Sequence, residues 1–393
     1  MKKTCILILV LLLGSLFLSC NQDSIFFAIY NEPPPKDPFI AGTPTNLAYV
    51  DDGVNKKIYA GTRMSKKIYS YENGGWNRGA IRLPGALGEL ASAGGRLYAL
   101  VFPGGEPTKS SVIYCYNSGS WTPIDNPFAG SYSIQSLYGA GDKIFAGVQS
   151  KSNYQSYAIL CSDVTAAPGS SLIELSTGQT SILKGAAAGT GSTTYYLVAG
   201  REILESDGTT ASNVFTAPNG NAAMNGIIHT GVSFVAVSNN GDERGSFYVY
   251  DGTNWSVRDS GVAFTGGLCV WKRYAPIDPA NPSTDPDPWK PALLLMGIRG
   301  QGTSKNQGYR ELDLAPDGDA NSSWSLKTPG DGSPTSVGDR NKYAASLGIR
   351  PVESIFQVPP SMQPGSTAEP LIFASTSQSG IWSYRGGVWN AEE

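Results

Sequence analysis

The stretch "KKIYSYENGGWN", from Lys66 to Asn77, is an apolar, aromatic run followed by a polar turn and a tryptophan. The same arrangement returns in "VIYCYNSGSWT" (Val112 to Thr122), "FYVYDGTNWS" (Phe247 to Ser256) and "GIWSYRGGVWN" (Gly380 to Asn390). In each stretch a tyrosine and a tryptophan flank a short loop of the kind that connects the strands of β-hairpins. Such residues face each other across the strands, and an aromatic pair there stabilises a hairpin by about 0.2–1 kcal/mol. Four hairpins with one spacing indicate a repeated structural unit.

The length and the number of the units can be read from the same sequence. Trp76 and Trp121 lie about 45 residues apart, and Trp255 follows Trp121 at about three times that distance. An apolar–apolar–small triplet recurs once per unit, as Ile58-Tyr59-Ala60, Leu97-Tyr98-Ala99, Ile144-Phe145-Ala146, Leu197-Val198-Ala199, Phe234-Val235-Ala236, Leu295-Met296-Gly297 and Ile372-Phe373-Ala374. Units of this length with several short strands are typical of propeller blades. We therefore predict an all-β fold over residues 44–393, a seven-bladed β-propeller of four-stranded antiparallel blades.

Composition agrees with short strands joined by many turns, since the chain contains 47 glycines, 26 prolines and 20 tyrosines. The alternatives are a ring of six or eight blades, a pair of β-sandwiches, or a β-helix. A sandwich has no reason to repeat at this period, and β-helix rungs are much shorter. Two proline-rich insertions, Pro276 to Pro291 and Pro359 to Pro370, lengthen blades six and seven and are predicted to be surface loops, because proline cannot continue a strand ladder.

Two propeller families resemble parts of this pattern. The Tyr-then-Trp rhythm resembles kelch repeats, and "YDGTNW" (Tyr250 to Trp255) resembles the Asp-box turn of sialidases. The chain departs from both, because most blades lack the double glycine that opens a kelch unit, and Asp251 stands directly before Gly252, where the Asp-box has a further residue. These resemblances concern the type of blade, and a fold does not determine a function.

The first 19 residues are predicted to be a secretory signal peptide. Lys2 and Lys3 are followed by the apolar run Cys5 to Leu18, which is shorter than the about 20 residues that a membrane-spanning helix needs. The run ends in "LFLSC" (Leu16 to Cys20), which resembles the lipobox of bacterial lipoproteins, although Phe17 stands where leucine is usual. An ordinary signal peptide with an incidental cysteine is the alternative.

The lipobox resemblance implies that Cys20 carries diacylglycerol on its sulfur and becomes the new N-terminus. Two or more acyl chains anchor a protein stably, so the chain would be held on a membrane without crossing it. Residues 20–43 would then be a tether between the lipid and the propeller. Asn21 follows Cys20, where aspartate favours retention in the inner membrane, so the resemblance implies the outer membrane, on its periplasmic or outer surface.

Charge and motifs exclude several function classes. The chain has 29 Lys and Arg against 32 Asp and Glu, a net charge of −3, without the basic footprint of a nucleic-acid-binding protein. It lacks the phosphate-binding GxxxxGK[ST] loop, so we expect no cofactor. We also expect the protein to be a monomer. One histidine, His229, excludes metal sites with several imidazoles. "DGDANSSW" begins like a calcium loop at Asp317, Asp319 and Asn321 but lacks its later glycine and glutamate, which favours a polar turn and no metal site.

Two functions remain after these exclusions. The favoured one is a non-enzymatic binding or scaffolding module for a protein or glycan partner, with the blade-six insertion as the candidate binding loop through Asp285, Asp287 and Trp289. The alternative is a carbohydrate-active enzyme, sialidase-like or lyase-like, for which no catalytic residues can be assigned. It requires carboxylates, or a tyrosine and a glutamate, to converge beside arginines at the channel. The candidates are Glu89, Glu205, Glu311, Glu353, Arg63, Arg201, Arg299 and Arg350.

Overall fold

The computed structural model describes residues 40, 42–106, 110–189, 191–218, 223–239, 244–259, 262–276, 285, 287–298, 308–320, 326–327, 351–363, 370–377, 380–385 and 388–392. The chain divides into two units, Met1–Asp37 and Pro38–Glu393, and all of the described residues belong to the second. The strands of this second unit form seven sheets of four strands each.

Each sheet is a blade whose four strands follow one another along the chain. Blade one comprises β1 Ala48–Asp51, β2 Lys56–Gly61, β3 Lys67–Glu72 and β4 Gly75–Arg82, and blade two comprises β5 Ala86–Ala93, β6 Arg96–Phe102, β7 Val112–Asn117 and β8 Ser120–Pro123. Blade three comprises β9 Tyr132–Ala140, β10 Lys143–Ser150, β11 Tyr157–Asp163 and β12 Ile173–Gln179. Blade four comprises β13 Leu183–Ala188, β14 Tyr195–Ala199, β15 Glu202–Ser206 and β16 Ala211–Thr216. Blade five comprises β17 Ala223–His229, β18 Phe234–Asn239, β19 Ser246–Tyr250 and β20 Trp255–Asp259. Blade six comprises β21 Phe264–Tyr274, β22 Trp289–Ile298, β23 Tyr309–Asp313 and β24 Leu326–Lys327. Blade seven comprises β25 Val352–Gln357, β26 Ile372–Thr376, β27 Gly380–Arg385 and β28 Val388–Ala391. All neighbouring strands are antiparallel, so the predicted seven-bladed, four-stranded propeller is confirmed.

The two sequence patterns mark defined places in the blade. Every apolar–apolar–small triplet lies in the second strand, and every Tyr–Trp pair spans the hairpin between the third and fourth strands. The two residues of each pair are directly opposite in the ladder. Their ring centroids lie 5.5, 4.9, 5.2 and 5.6 Å apart in blades one, two, five and seven. These separations are those of favourable aromatic contacts, so the repeated aromatics stabilise the outer hairpins.

The hydrophobic core is divided among the interfaces between blades. Among the described residues there are seven apolar clusters, and each joins two consecutive blades. The interface between blades seven and one closes the ring. There Tyr71 packs on Phe373 at a centroid distance of 5.0 Å, and Tyr49 packs on Phe356 at 6.0 Å. Blade seven takes all four of its strands from the C-terminal end of the chain, so side-chain packing rather than a shared sheet closes the ring.

The first strand of each blade is called the inner strand here. From blade one to blade seven, each inner strand contacts the next inner strand along the chain, and together they form the wall of the central channel. Because the strands of a blade alternate in direction, all inner strands begin at one face of the ring, which we call the entry face. Both proline-rich insertions connect a first strand to a second strand, so their described ends, next to β21, β22, β25 and β26, lie on the opposite face. Part of the second insertion is folded, since Pro360–Met362 form a 3₁₀ turn and Met362 is buried.

The three described cysteines, Cys115, Cys161 and Cys269, are free and buried. Cys115 occupies the same third-strand position as Ser70, Val249 and Ser383, which are all buried. Burial raises the pKa of the Cys161 and Cys269 thiols to about 12. These thiols are therefore packing residues and are unreactive at neutral pH.

Candidate functional site at the channel mouth

A polar cavity of about 340 Å³ opens at the entry face, where the inner strands begin. Every blade contributes to its wall. One residue from each blade in turn lines it, namely Asn46, Glu89, Tyr138, Lys184, Asn225, Thr265 and Glu353. Arg63, from the loop between β2 and β3, lies at the rim. The volume lies within the about 300–1,000 Å³ that small-molecule sites occupy.

β-bulges bring several of these side chains into the cavity. Lys184, Asn225 and Glu353 are each the extra residue where the ladder between the first and second strand of their blade shifts register. In blade six the shift spans residues 265–267 and includes Thr265. A bulge adds an unpaired residue and turns its side chain away from the regular alternation, which is why bulges recur at the rims of sites.

Hydrogen bonds between blades hold the bulges in place. The Asn225 side-chain amide donates to the carbonyl of Phe264 at 2.8 Å. The Thr265 hydroxyl donates to the carbonyl of Val352 in the next blade. Gly266 has a φ of +102°, and a Cβ there would lie 2.1 Å from the Asn225 carbonyl oxygen, so only glycine permits this approach. The mouth is therefore built by neighbouring inner strands that fix one another.

The Glu89 carboxylate is largely enclosed in the cavity wall, with 13% of its side chain exposed. Its Oε1 accepts a charge-assisted hydrogen bond from the Arg63 guanidinium. Its Oε2 is buried without a hydrogen-bond partner among the described residues. Burial raises the pKa of Glu89, and Glu353 raises it further, while Arg63 and Lys184 act in the opposite direction. A carboxyl with a raised pKa can donate as well as accept a proton at the mouth.

The Tyr138 hydroxyl and the Lys184 ammonium are two further polar groups of the site. Burial raises the pKa of the Tyr138 phenol, and the Glu89 charge raises it further, so this hydroxyl is neutral and is available to donate a hydrogen bond. Lys184 is exposed at the second position of β13. The mouth thus combines two carboxylates, two cations, two side-chain amides, four hydroxyls and an aromatic ring.

The residues predicted for an enzyme are brought together only in part. Glu89, Glu353 and Arg63 meet at the cavity. Glu205 lies in the third strand of blade four and accepts a hydrogen bond from the Tyr196 hydroxyl at 3.2 Å. Glu311 is fully buried in the third strand of blade six. The Arg201 guanidinium donates to the Ala217 carbonyl, and Arg299 and Arg350 lie outside the described residues.

The predicted binding loop is more enclosed than its sequence indicates. Trp289 is 9% exposed, begins β22, and packs edge-on against Tyr274 at a centroid distance of 5.5 Å. The Asp285 carboxylate is buried and lies 3.4 Å from the Lys290 ammonium. Asp287 retains 64% side-chain exposure and lies 3.8 Å from Lys272. Residues 277–284 and 286 are outside the described residues. A partner role for this segment stays a prediction, with Asp287 as its accessible member.

The other candidate residues fit structural roles where they are described. His229 ends β17 and packs on Phe234 at a centroid distance of 4.6 Å, and burial lowers its pKa. The Asp319 backbone N–H donates to the Asp317 carboxylate at 3.0 Å, which forms the predicted polar turn, and Asn321 lies outside the described residues. Within the described ranges, no group of three or more His, Cys, Asp or Glu residues could hold a metal ion.

The predicted signal peptide and Cys20 fall on residues 1–39, which are not described, and residues 40, 42 and 43 are the described part of the predicted tether. No helix in the described part of the chain has the length and apolar character needed to cross a membrane.

Sequence reasoning missed Asn46, Tyr138, Lys184, Asn225 and Thr265 as site residues. A local signal for three of them is present, because Lys184, Asn225 and Thr265 each precede a glycine at the start of an inner strand. A polar residue followed by glycine usually marks a turn, whereas here it marks a bulge. Tyr138 also precedes a glycine, Gly139, but it lies near the end of β9 in a regular part of the ladder, and Asn46 precedes none.

Comparison with known proteins identifies the fold. One chain of the mitotic checkpoint complex is 12% identical with a TM-score of 0.52, and the match covers 92% of this chain and 90% of that chain. An ancestral GH74 enzyme is 12% identical with a TM-score of 0.56, over 91% of this chain and 47% of that chain. The extracellular domain of a protein described as a one component system from B. thetaiotaomicron is 10% identical with a TM-score of 0.51, over 89% of this chain and 39% of that chain.

The chain spans less than half the length of the last two proteins. At these identities the likeness is one of fold. No protein-family model matches the chain, and no curated protein matches it in sequence.

Proposed function

We propose that this protein is a binding module of the bacterial cell envelope that holds a glycan at the mouth of its central channel. One observation carries the proposal, which is that all seven blades contribute to a single polar cavity of about 340 Å³. A cavity of this size accommodates a small ligand or one end of a chain, whereas a stable protein–protein interface buries about 1,200–2,000 Å². A glycan therefore suits the cavity better than a folded protein partner does.

The lining has the chemistry that sugar hydroxyls require. The carboxylate of Glu353 can accept hydrogen bonds, the Arg63 guanidinium can donate them, and the Asn225 amide can do both. The Tyr138 ring offers an apolar surface beside these polar groups, as an amphipathic sugar ring needs. Because bonds between blades fix the bulges, the site is formed before the ligand arrives, which lowers the entropic cost of binding.

The experiment is a binding screen of the full-length protein against immobilised oligosaccharides, followed by calorimetry on the ligand that binds best. Glu353→Gln should weaken this binding by about tenfold or more, because it removes the charge from a hydrogen-bond acceptor in the cavity. The matched variant is Asp287→Asn, which removes a carboxylate from the opposite face. Should Asp287→Asn weaken binding while Glu353→Gln does not, the ligand belongs to the blade-six loop and the channel proposal is wrong.

Lipid anchoring through Cys20 is part of the same proposal and rests on the lipobox resemblance. A diacylated Cys20 would hold the module on the outer membrane, where envelope glycans lie within reach of residues 20–43 and the ring. Labelled palmitate should enter the wild-type protein in its bacterial host and should not enter Cys20→Ala. Equal labelling of the two proteins would remove the anchor from the proposal and would leave the channel site unaffected.

A carbohydrate-active enzyme is the second candidate, and a specific observation favours it. Glu89, with its raised pKa, and Glu353 line the same cavity beside Tyr138 and Arg63. Glycosidases use such a pair, with one carboxylic acid protonating the leaving oxygen and one carboxylate acting as nucleophile or base. Prolonged incubation with the bound oligosaccharide separates the candidates. A binding module returns the sugar intact, whereas cleavage that is lost in both Glu89→Gln and Glu353→Gln would establish the enzyme.

A further inference from the structure

The ligand's charge can be inferred from Lys184. We infer that the glycan held at the channel mouth is anionic, and that its negative group, a uronate carboxylate or a sulfate ester, binds the Lys184 ammonium. This inference rests on the proposed function and adds the class of sugar. The position of Lys184, its surroundings, and the partners of the other charges at the mouth support an anionic ligand.

The backbone at Lys184 is fixed from both sides. Leu183 is fully buried, and its carbonyl accepts a hydrogen bond from the Ser136 hydroxyl of blade three at 2.8 Å. Gly185 on the other side lies so close to blade five that a Cβ there would be 3.1 Å from the Ile227 nitrogen. Lys184 is the extra residue between them and lines the cavity. Its placement is thus determined by two neighbouring blades.

The Lys184 ammonium forms no hydrogen bond or ion pair with any residue that the structure describes. The Glu89 carboxylate attracts the Lys184 ammonium electrostatically, at a longer range than a hydrogen bond or an ion pair. The other cation of the mouth, Arg63, is already bonded to the Glu89 carboxylate. Glu353 belongs to blade seven, which is three blades from blade four in one direction around the ring and four in the other. Lys184 is therefore the cation of the mouth whose charge no described carboxylate pairs with directly, whereas the Arg63 charge is paired with Glu89.

A neutral sugar would bring only weak dipoles to this ammonium, whereas an anionic sugar brings a full opposite charge. The attraction is worth more in a partly enclosed cavity than in bulk water, since the effective dielectric constant is lower there. A lysine acts as a point charge, without the fork geometry by which arginine favours planar carboxylates. Uronate and sulfate are thus equally suitable by this chemistry, and the probes must include both.

The experiment compares matched probes on the full-length protein: galacturonic acid oligomers, sulfated galactose oligomers and neutral galactose oligomers of equal length. At least one anionic probe should bind the wild-type protein about tenfold or more tightly than the neutral probe. Its affinity should fall as salt rises from about 0.05 M to 0.5 M, because the Debye length shortens over that range. Lys184→Gln should reduce anionic binding to the level of the neutral probe. Lys66→Gln is the control, since Lys66 is exposed in the loop that carries Arg63 but does not line the cavity.

Three results would overturn the inference. The first is an equal preference for neutral and anionic probes, and the second is unchanged anionic binding in Lys184→Gln. The third is an equal loss in Lys66→Gln, which would indicate attraction by the general surface charge. In each of these cases the channel still binds a glycan and the proposed function stands. Failure of the wild-type protein to bind any oligosaccharide in the wider screen would instead contradict the proposed function itself.

Discussion

Glu89 combines two conditions that stable folds usually avoid in one residue. Its carboxylate is enclosed in the cavity wall, and one of its oxygens is buried without a hydrogen-bond partner among the described residues. Leaving a buried polar atom unsatisfied costs about 1–3 kcal/mol, more for a charged group. Groups that are held in an unfavourable state at a cavity are characteristic of functional sites, because the ligand supplies the missing partner.

The raised pKa of Glu89 leads to a prediction with a definite sign. A carboxyl whose pKa is raised by folding favours the folded state below its unfolded pKa of 4.5, and this advantage is lost as the pH rises through the folded pKa. Glu89→Gln replaces the carboxylate with a neutral isostere. The free energy of unfolding of this variant should therefore exceed that of the wild type at neutral pH, and the difference should vanish below about pH 4.5.

Glu72→Gln is the matched control for this experiment. The Lys57 ammonium, 2.9 Å away, lowers the pKa of Glu72, so its charge stabilises the fold above pH 4.5. The control should consequently be less stable than the wild type at neutral pH, the opposite sign from Glu89→Gln. Chemical denaturation of the three proteins at about pH 7 and pH 4 measures both effects. A Glu89→Gln variant that is less stable than the wild type at pH 7 would show that Glu89 is a structural ion-pair residue.

At the scale of the strand, the inner strands determine the shape of the mouth. Their bulges need close backbone approach between blades, and glycines permit it. Gly266 in blade six lies against the backbone of Asn225 in blade five, and Gly267 lies against the backbone of Glu353 in blade seven. The residues that line the cavity and the residues that allow the strands to meet are thus neighbours in sequence.

Gly266→Ala tests this packing. Its Cβ would lie 2.1 Å from the Asn225 carbonyl oxygen, so the two inner strands must separate. We expect a loss of about 2–4 kcal/mol in the free energy of unfolding, the sum of backbone strain at positive φ and overpacking. Gly252→Ala is the control, since its φ is +92° but no atom lies within 4 Å of the added carbon. It should cost only the strain, about 1–2 kcal/mol. Equal losses in the two variants would contradict close contact between the inner strands.

The sequence predicted the blades well because their signals are local. A Tyr–Trp pair and its turn lie within one hairpin, and each triplet lies within one strand, so short stretches contain the whole signal. The channel mouth is assembled from positions as distant as Asn46 and Glu353, and no short-range pattern joins them. The contact of Trp289 with Tyr274 is of the same long-range kind, because a long insertion separates the two residues along the chain.

At the scale of the whole molecule, one interface in the ring joins blades that are not consecutive along the chain, namely blades seven and one. Blades seven and one meet through an apolar cluster that includes Ile58, Tyr71, Phe373 and Ile381. The Gly380 N–H also donates to the Gly42 carbonyl at 3.1 Å, which joins the first described residues to blade seven. Closure therefore depends on side-chain packing, whereas at the other six interfaces the inner strands of the two blades also lie close together.

Phe373→Ala should show whether closure is as strong as the rest of the ring. Phe373 is fully buried, and its truncation should cost about 3–5 kcal/mol. Phe145→Ala is the matched variant, because Phe145 occupies the same triplet position in blade three and is equally buried. Calorimetry should find one unfolding transition in each variant, lowered by a similar amount. A separate early transition in Phe373→Ala alone would mean that the ring opens at this interface before it unfolds.

The central claim is that the ligand occupies the channel mouth, and a crystal structure of the protein with the best-binding oligosaccharide tests it most directly. The predicted result is sugar density in the cavity at the entry face, within hydrogen-bond distance of Glu353 and Asn225 and with an anionic substituent at Lys184. Density against Asp287 on the opposite face, with the mouth empty, would contradict the account.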